Sequence, residues 1–188
     1  FHVTGVQTCA LPILFASSAA FAAPLSMISV GEFGGYRVKA PCSFGSAARL
    51  CTLDTMGSVS VISSGPGFAS YPVAGHQKVG RIGADLDCDI VDVTDLDLLG
   101  YRPAHLRPLR CAEDNAAFPL IGIPFFEGRI FAFDFPRAEF TWNAPLSHPR
   151  PLLRIGGDSH WMAMEGSFGG EKVLVAFDTG NPVTRSEE

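Results

Sequence analysis

Two aspartates carry the chemistry this sequence offers. Asp178 follows the apolar run from Val173 to Phe177 and precedes Thr179 and Gly180. Asp54 follows Cys51, Thr52 and Leu53 and precedes Thr55, Met56 and Gly57. An apolar strand, Asp-Thr, a small residue and a polar or β-branched segment therefore occur twice in one chain. Two carboxylates brought close together cannot both ionise cheaply, so they share a proton and titrate as a coupled pair. Such a pair supplies a base for water and an acid for a carbonyl oxygen, with no metal and no covalent intermediate. The plainer alternative for each Asp is a turn residue that ends a strand and accepts local backbone hydrogen bonds.

Other chemistries find less support. His76, His105, His148 and His160 are scattered, none with i,i+4 spacing for zinc, so no metal or other cofactor is expected. There is no Gly-x-Ser-x-Gly elbow, no Gly-x-Gly-x-x-Gly and no phosphate loop. Trp142 and Trp161 read as packing residues rather than a ligand platform.

The elements that must position the aspartates read as short strands. Phe, Val, Ile, Gly and Pro are plentiful and long helical periodicity is missing, which makes the chain all-β. Alternation predicts strands at residues 27–30, 36–40, 49–53, 59–62 and 89–93, with a glycine-punctuated hairpin over residues 71–83. A Pro-rich loop is predicted over residues 101–108. Residues 118–126 read as a buried strand entering a short helix, and residues 129–135 and 139–142 as a strand pair joined across Pro136 and Arg137. A Pro-rich linker spans residues 143–151, after which residues 152–155, 161–164 and 172–177 open a second unit.

Four cysteines, Cys42, Cys51, Cys88 and Cys111, suit two disulfides. If Gly45 and Ser46 turn a hairpin, Cys42 faces Cys51 and Cys88 is left with Cys111; free buried thiols are the rival. None of these four has C-x-x-C spacing. The net charge is −5 with no Lys/Arg cluster, which argues against nucleic acid and anionic membrane surfaces as partners.

Both ends call for separate treatment. Residues 1–13 resemble a translated sequencing-library adapter, and residues 185–188 the translated start of its reverse complement. We therefore expect both to be foreign to the natural gene, and the chain to be a fragment that does not act as a whole two-lobed enzyme. Removing them leaves a charge of −4. Residues 14–23 resemble the end of a secretory signal peptide, with Ala20, Phe21 and Ala22 as a small-x-small cleavage pattern; an ordinary buried apolar segment is the alternative. Export to the periplasm or outside the cell is expected, with no stable membrane insertion once the signal is removed.

The two Asp-Thr stretches resemble the motif of the retropepsin-like and pepsin-like aspartic proteases, bacterial exported members included. There, each lobe offers one Asp from a loop after an apolar strand. Phe177, Asp178, Thr179 and Gly180 follow the pattern, and Asn181 and Pro182 depart from it. Leu53, Asp54 and Thr55 follow it, but Met56 stands where Gly is usual and Gly57 where Ala is usual. Leu120, Ile121 and Gly122 resemble the apolar-apolar-Gly element that packs beside the Asp loop. The resemblance implies an acid-protease β-barrel lobe over residues 27–142 and the start of a second similar lobe over residues 152–184. It implies an aspartic-type endopeptidase acting on polypeptides, with Asp54 and Asp178 as the catalytic pair. Thr55 and Thr179 would brace the loops, Gly180 would let backbone amides approach the carboxylate closely, and Gly57 and Gly122 would belong to the loop support. A flap hairpin would carry Gly75, Gly80 and Gly83. A side chain at Met56 is expected to strain the loop, by about 1–3 kcal/mol, or to displace the amide aimed at Asp54. Self-association through the first lobe is a further route, as in dimeric retropepsins. The competing expectations are a secreted β-barrel binding module without catalysis and a structural surface protein of two cysteine-stapled β domains.

Overall fold

The computed structural model describes residues 21–30, 35–81, 84–112, 119–143, 153–155 and 161–180. The expected adapter segments, the linker from residue 144 onward, and Gly83, His148, His160, Asn181 and Pro182 lie outside the described residues. Among those described the protein is all-β, its one helical element being a single 3-10 turn.

The largest sheet has nine strands. It begins with β2 (Ser26–Val30), β3 (Gly35–Phe44) and β4 (Ala47–Asp54). In β3 the side chains of Val38, Ala40, Cys42 and Phe44 are buried while Lys39, Pro41 and Ser43 are more open, the period-2 signature of a sheet with one dry face. Gly45 turns β3 into β4 with φ +58°, and a Cβ there would also meet the Asp95 carboxylate at 2.8 Å. The antiparallel register sets Cys42 opposite Arg49 and Ala40 opposite Cys51. The Cys42–Cys51 disulfide nevertheless forms on the diagonal, two residues off direct pairing, with Cα atoms 5.9 Å apart.

Beyond β4 the sheet is not sequential. β10 (Leu120–Gly122) inserts between β4 and β5 (Val61–Ser63), parallel to the first and antiparallel to the second. Its register pairs Leu120 with Thr52, Ile121 with Leu53 and Gly122 with Asp54. A short, wholly apolar run suits a strand covered on both faces. The 3-10 turn (Ile123–Phe125) follows at once, with Pro124 at its start, close to the strand-into-helix expectation.

The far side of β5 continues through β9 (Leu109–Cys111), β7 (Ala84–Val91) and β6 (Val73–Arg81), while β8 (Leu96–Leu98) pairs with β3. Here the sequence expectation needs correction. Residues 71–83 are not a hairpin in themselves: Val73–Arg81 is one strand, Gly75 and Gly80 lie within it, and its partner is β7. Of the strand expected at residues 89–93, residues 89–91 are the end of β7, and Val93 makes an isolated bridge with Leu106. The second disulfide, Cys88–Cys111, joins β7 to β9 at directly paired positions.

A smaller sheet takes the order β1 (Phe21–Pro24), β12 (Glu139–Trp142), β11 (Phe131–Asp134). Residues 21–23, which fall in the expected signal remnant, thus pair with Trp142, Thr141 and Phe140. Phe126, Phe131, Phe140 and Trp142 pack ring against ring between this sheet and the large one. The third sheet is β13 (Leu153–Ile155), β14 (Trp161–Phe168) and β15 (Glu171–Ala176), the last of which leads to Asp178.

Candidate active site

Asp54 sits at the end of β4, held on one side by β10 and on the other by β3. Its Oδ1 accepts hydrogen bonds from the Met56 amide at 3.0 Å and the Gly57 amide at 2.7 Å. The Met56 amide is therefore aimed at the carboxylate, not displaced from it. Nor does Met56 adopt a positive φ, as Leu99, Ala138 and Asn143 do. The expected strain at this position is absent, and the loop accepts a side chain there because its tight point lies one residue later. A Cβ on Gly57 would come within 2.9 Å of the Asp54 carboxyl.

Across from it, Asp178 Oδ1 accepts the Gly180 amide at 2.9 Å. The two loops are joined by a reciprocal set of bonds. The Thr55 amide donates to Thr179 Oγ1 and the Thr179 amide to Thr55 Oγ1, both at 3.2 Å. Thr179 Oγ1 donates to the Leu53 carbonyl at 2.7 Å, and Thr55 Oγ1 donates to the carbonyl of Phe177. Each threonine thus holds the residue just before the opposite aspartate. Both are about 5% exposed, so every one of these polar atoms would cost free energy if left unmade. The Thr179 carbonyl also accepts from the Val38 amide at 3.4 Å, which ties the second loop to β3.

This lock brings the carboxyls together. A Cβ on Gly180 would lie 2.6 Å from Asp54 Oδ2, so the glycine leaves room for the opposite loop's carboxylate. Burial raises the Asp54 pKa above the ordinary carboxylate value; the Asp178 charge raises it further, and so does a hydrogen bond between the two side chains. The amides of Met56 and Gly57 oppose the shift. The arrangement can hold one proton between two carboxyls, and a water placed against both would meet a base and an acid together.

Gly122 closes the first loop from behind. A Cβ there would fall 2.5 Å from the Gly57 carbonyl and closer still to that of Val59. The Ile123 amide donates to that Gly57 carbonyl at 2.8 Å, and the Gly122 amide to Ser60 Oγ at 3.1 Å. Ser60 was not singled out by sequence reasoning. A hydroxyl between two valines gives no sign of what it will bond.

Gly75 and Gly80 sit along β6, and the side chains of Val79, Leu86 and Ile90 from the β6–β7 hairpin, like those of Val59 and Val61 after the Asp54 loop, pack against Cys88, Leu109 and Cys111. His76 and His105 bond Asp89 and Asp92 at 2.9 and 3.1 Å. No group of three or more His, Cys, Asp or Glu poised for a metal occurs among the described residues.

No protein-family model and no curated protein matches this chain.

Proposed function

We propose that the protein is an aspartic-type endopeptidase in which Asp54 and Asp178 activate a water between them. One observation carries the reading: Thr55 and Thr179 each bond the strand end before the other's aspartate, so two stretches more than a hundred residues apart are locked with their carboxyls adjacent. A turn residue that merely ends a strand needs no such partner. The parallel insertion of β10 beside β4, with Gly122 at the level of Asp54, further supports a lobe of the retropepsin and pepsin type. The substrate in this reading is an extended polypeptide, and the β6–β7 hairpin is the element that would cover it. Two disulfides suit an oxidising compartment, and the periplasm or the exterior is the location we infer from them.

The test uses the uninterrupted gene product, incubated with denatured protein at acid pH with and without pepstatin. Cleavage that pepstatin blocks, and that falls by about 10²–10⁴-fold in Asp54→Asn and in Asp178→Asn, is the expected result. Cleavage indifferent to both substitutions would falsify the proposal.

A further inference from the structure

Arg110 is a guanidinium inside a sheet. It lies on β9 between Leu109 and Cys111, and its side chain is 12% exposed. Nη2 donates to Asp89 Oδ2 at 2.7 Å. Nη1 lies 3.2 Å from each of the Phe68, Ala69 and Tyr71 carbonyl oxygens and donates to that cluster. These carbonyls belong to the loop that leads from β5 into β6, and Asp89 belongs to β7. One side chain therefore grips both roots of the β6–β7 hairpin.

Three neighbouring features act at the same place. Asp89 pairs directly with Arg110 in the register, next to the Cys88–Cys111 disulfide, so the ion pair and the covalent bond occupy adjacent rungs. Tyr71, whose carbonyl Arg110 holds, donates its hydroxyl to Asp95 Oδ1 at 2.6 Å. Phe68 is buried edge-on against Phe44 at 4.9 Å. The root is thus fastened to β3, to Asp95 just before β8, and to β9. A planar, always-charged fork suits several acceptors at fixed angles, which an ammonium cannot reproduce.

The geometry points to Arg110 as a positioning residue for the reaction proposed above: it fixes the hairpin root and thereby the hairpin's reach over the Asp54–Asp178 pair. The inference rests on that reading, because a hairpin with nothing beneath it would have nothing to position. Arg110 touches neither carboxyl, so its removal should weaken the grip on substrate and leave proton chemistry alone.

The experiment compares wild type with Arg110→Lys in the full-length chain by amide hydrogen exchange and peptide cleavage. Exchange along β6 and β7 should rise about tenfold or more as the root loosens. KM should rise about tenfold with kcat within about twofold, the signature of binding shared by ground and transition states. The pH profile should not move. Unchanged exchange, or a fall in kcat with KM fixed, or a displaced pH profile, overturns the assignment. Should Arg110→Lys fail to fold, Asp89→Asn keeps the guanidinium and its carbonyl bonds. It should raise exchange on β7 more than on residues 64–72, and an even rise over both would overturn the assignment. Cleavage that survives Asp54→Asn and Asp178→Asn removes the reaction and the positioning role with it. Faster exchange with KM unmoved removes the positioning role alone.

Discussion

Asp54 leaves a strand whose preceding residues, Cys51, Thr52 and Leu53, are wholly buried between β3 and β10. Asp178 leaves β15, an edge strand on which Leu174 is 55% exposed, and the next residue, Phe177, is 47% exposed. Yet Thr55 and Thr179 make matching bonds in the two loops. The second loop is held by the first through the threonines, by β3 through the Val38 amide, and by the residue after β11 through a ring contact between Phe177 and Phe135 at 5.9 Å. Local support and site geometry are therefore separable. A loop on an exposed edge strand can present an ordered carboxylate if its partner loop is rigid.

The sharpest test of this asymmetry places one methyl group at two glycines. Gly122→Ala should destabilise the whole domain by about 3–5 kcal/mol, read as a lowered denaturant midpoint, because two backbone carbonyls block the Cβ and neither can retreat cheaply. Gly180→Ala meets the Asp54 carboxyl instead. Its cost in global stability should stay within about 1 kcal/mol, while cleavage falls steeply because the pair is forced apart. Equal destabilisation by both would mean that the second loop is as structural as the first.

Next in size is the coupling between the threonines. Thr55→Ala and Thr179→Ala each leave buried backbone groups unpaired, at about 1–3 kcal/mol each. The double mutant should cost less than the sum, with a coupling of about 0.5–3 kcal/mol in a denaturation cycle. Strict additivity would show that the reciprocal bonds do not act as one unit.

Much of this arrangement could be read from residues. Alternation along β3, the paired cysteines and the Leu-Ile-Gly run all announced themselves, because they depend on local pattern or on one chemical group. What could not be read was order. Nothing in Leu120, Ile121 and Gly122 says that they lie between β4 and β5, since strand pairing is settled by long-range packing. The hairpin was misjudged for a different reason. Gly75 and Gly80 suggested breaks, but a Cβ at Gly75 would only touch Ile90 at an ordinary 3.5 Å, so that glycine marks no turn. Arg110 was legible in principle. Once Cys88 is paired with Cys111 in antiparallel register, Asp89 falls opposite Arg110 with no further assumption.

The dependence of stability on pH separates the site from its supports by sign. The folded state raises the Asp54 pKa, so between the ordinary carboxylate value and the raised one the native protein binds more protons than the unfolded chain. Its contribution is full at low pH and is lost as pH rises through that window. Asp89 runs the other way. Its hydrogen bond with Arg110 is the main cause that lowers its pKa, so its contribution is present at higher pH and is lost as pH falls through the folded value. Denaturation across pH should accordingly flatten on the rising side in Asp54→Asn and on the acid side in Asp89→Asn. Identical curves for the two variants would contradict the contrast.

The smallest expected effect falls on the residue where the two loops differ most in sequence. If the first loop tolerated Met56 only under strain, Met56→Gly would relieve it and stabilise the protein. The Met56 amide already bonds Asp54 and its φ is not positive, so glycine has no strain to relieve. It would instead give the unfolded chain more freedom, a loss of about 0.4–1 kcal/mol. Cleavage should be unchanged, because the amide is supplied by backbone and Gly57 already provides the clearance beside the carboxylate. A gain in stability, or faster cleavage, would mean that the Asp54 loop is held in a compromise its partner avoids. The expected small loss would show instead that the space beside Asp54 is made at Gly57, so that the residue before it is open to substitution.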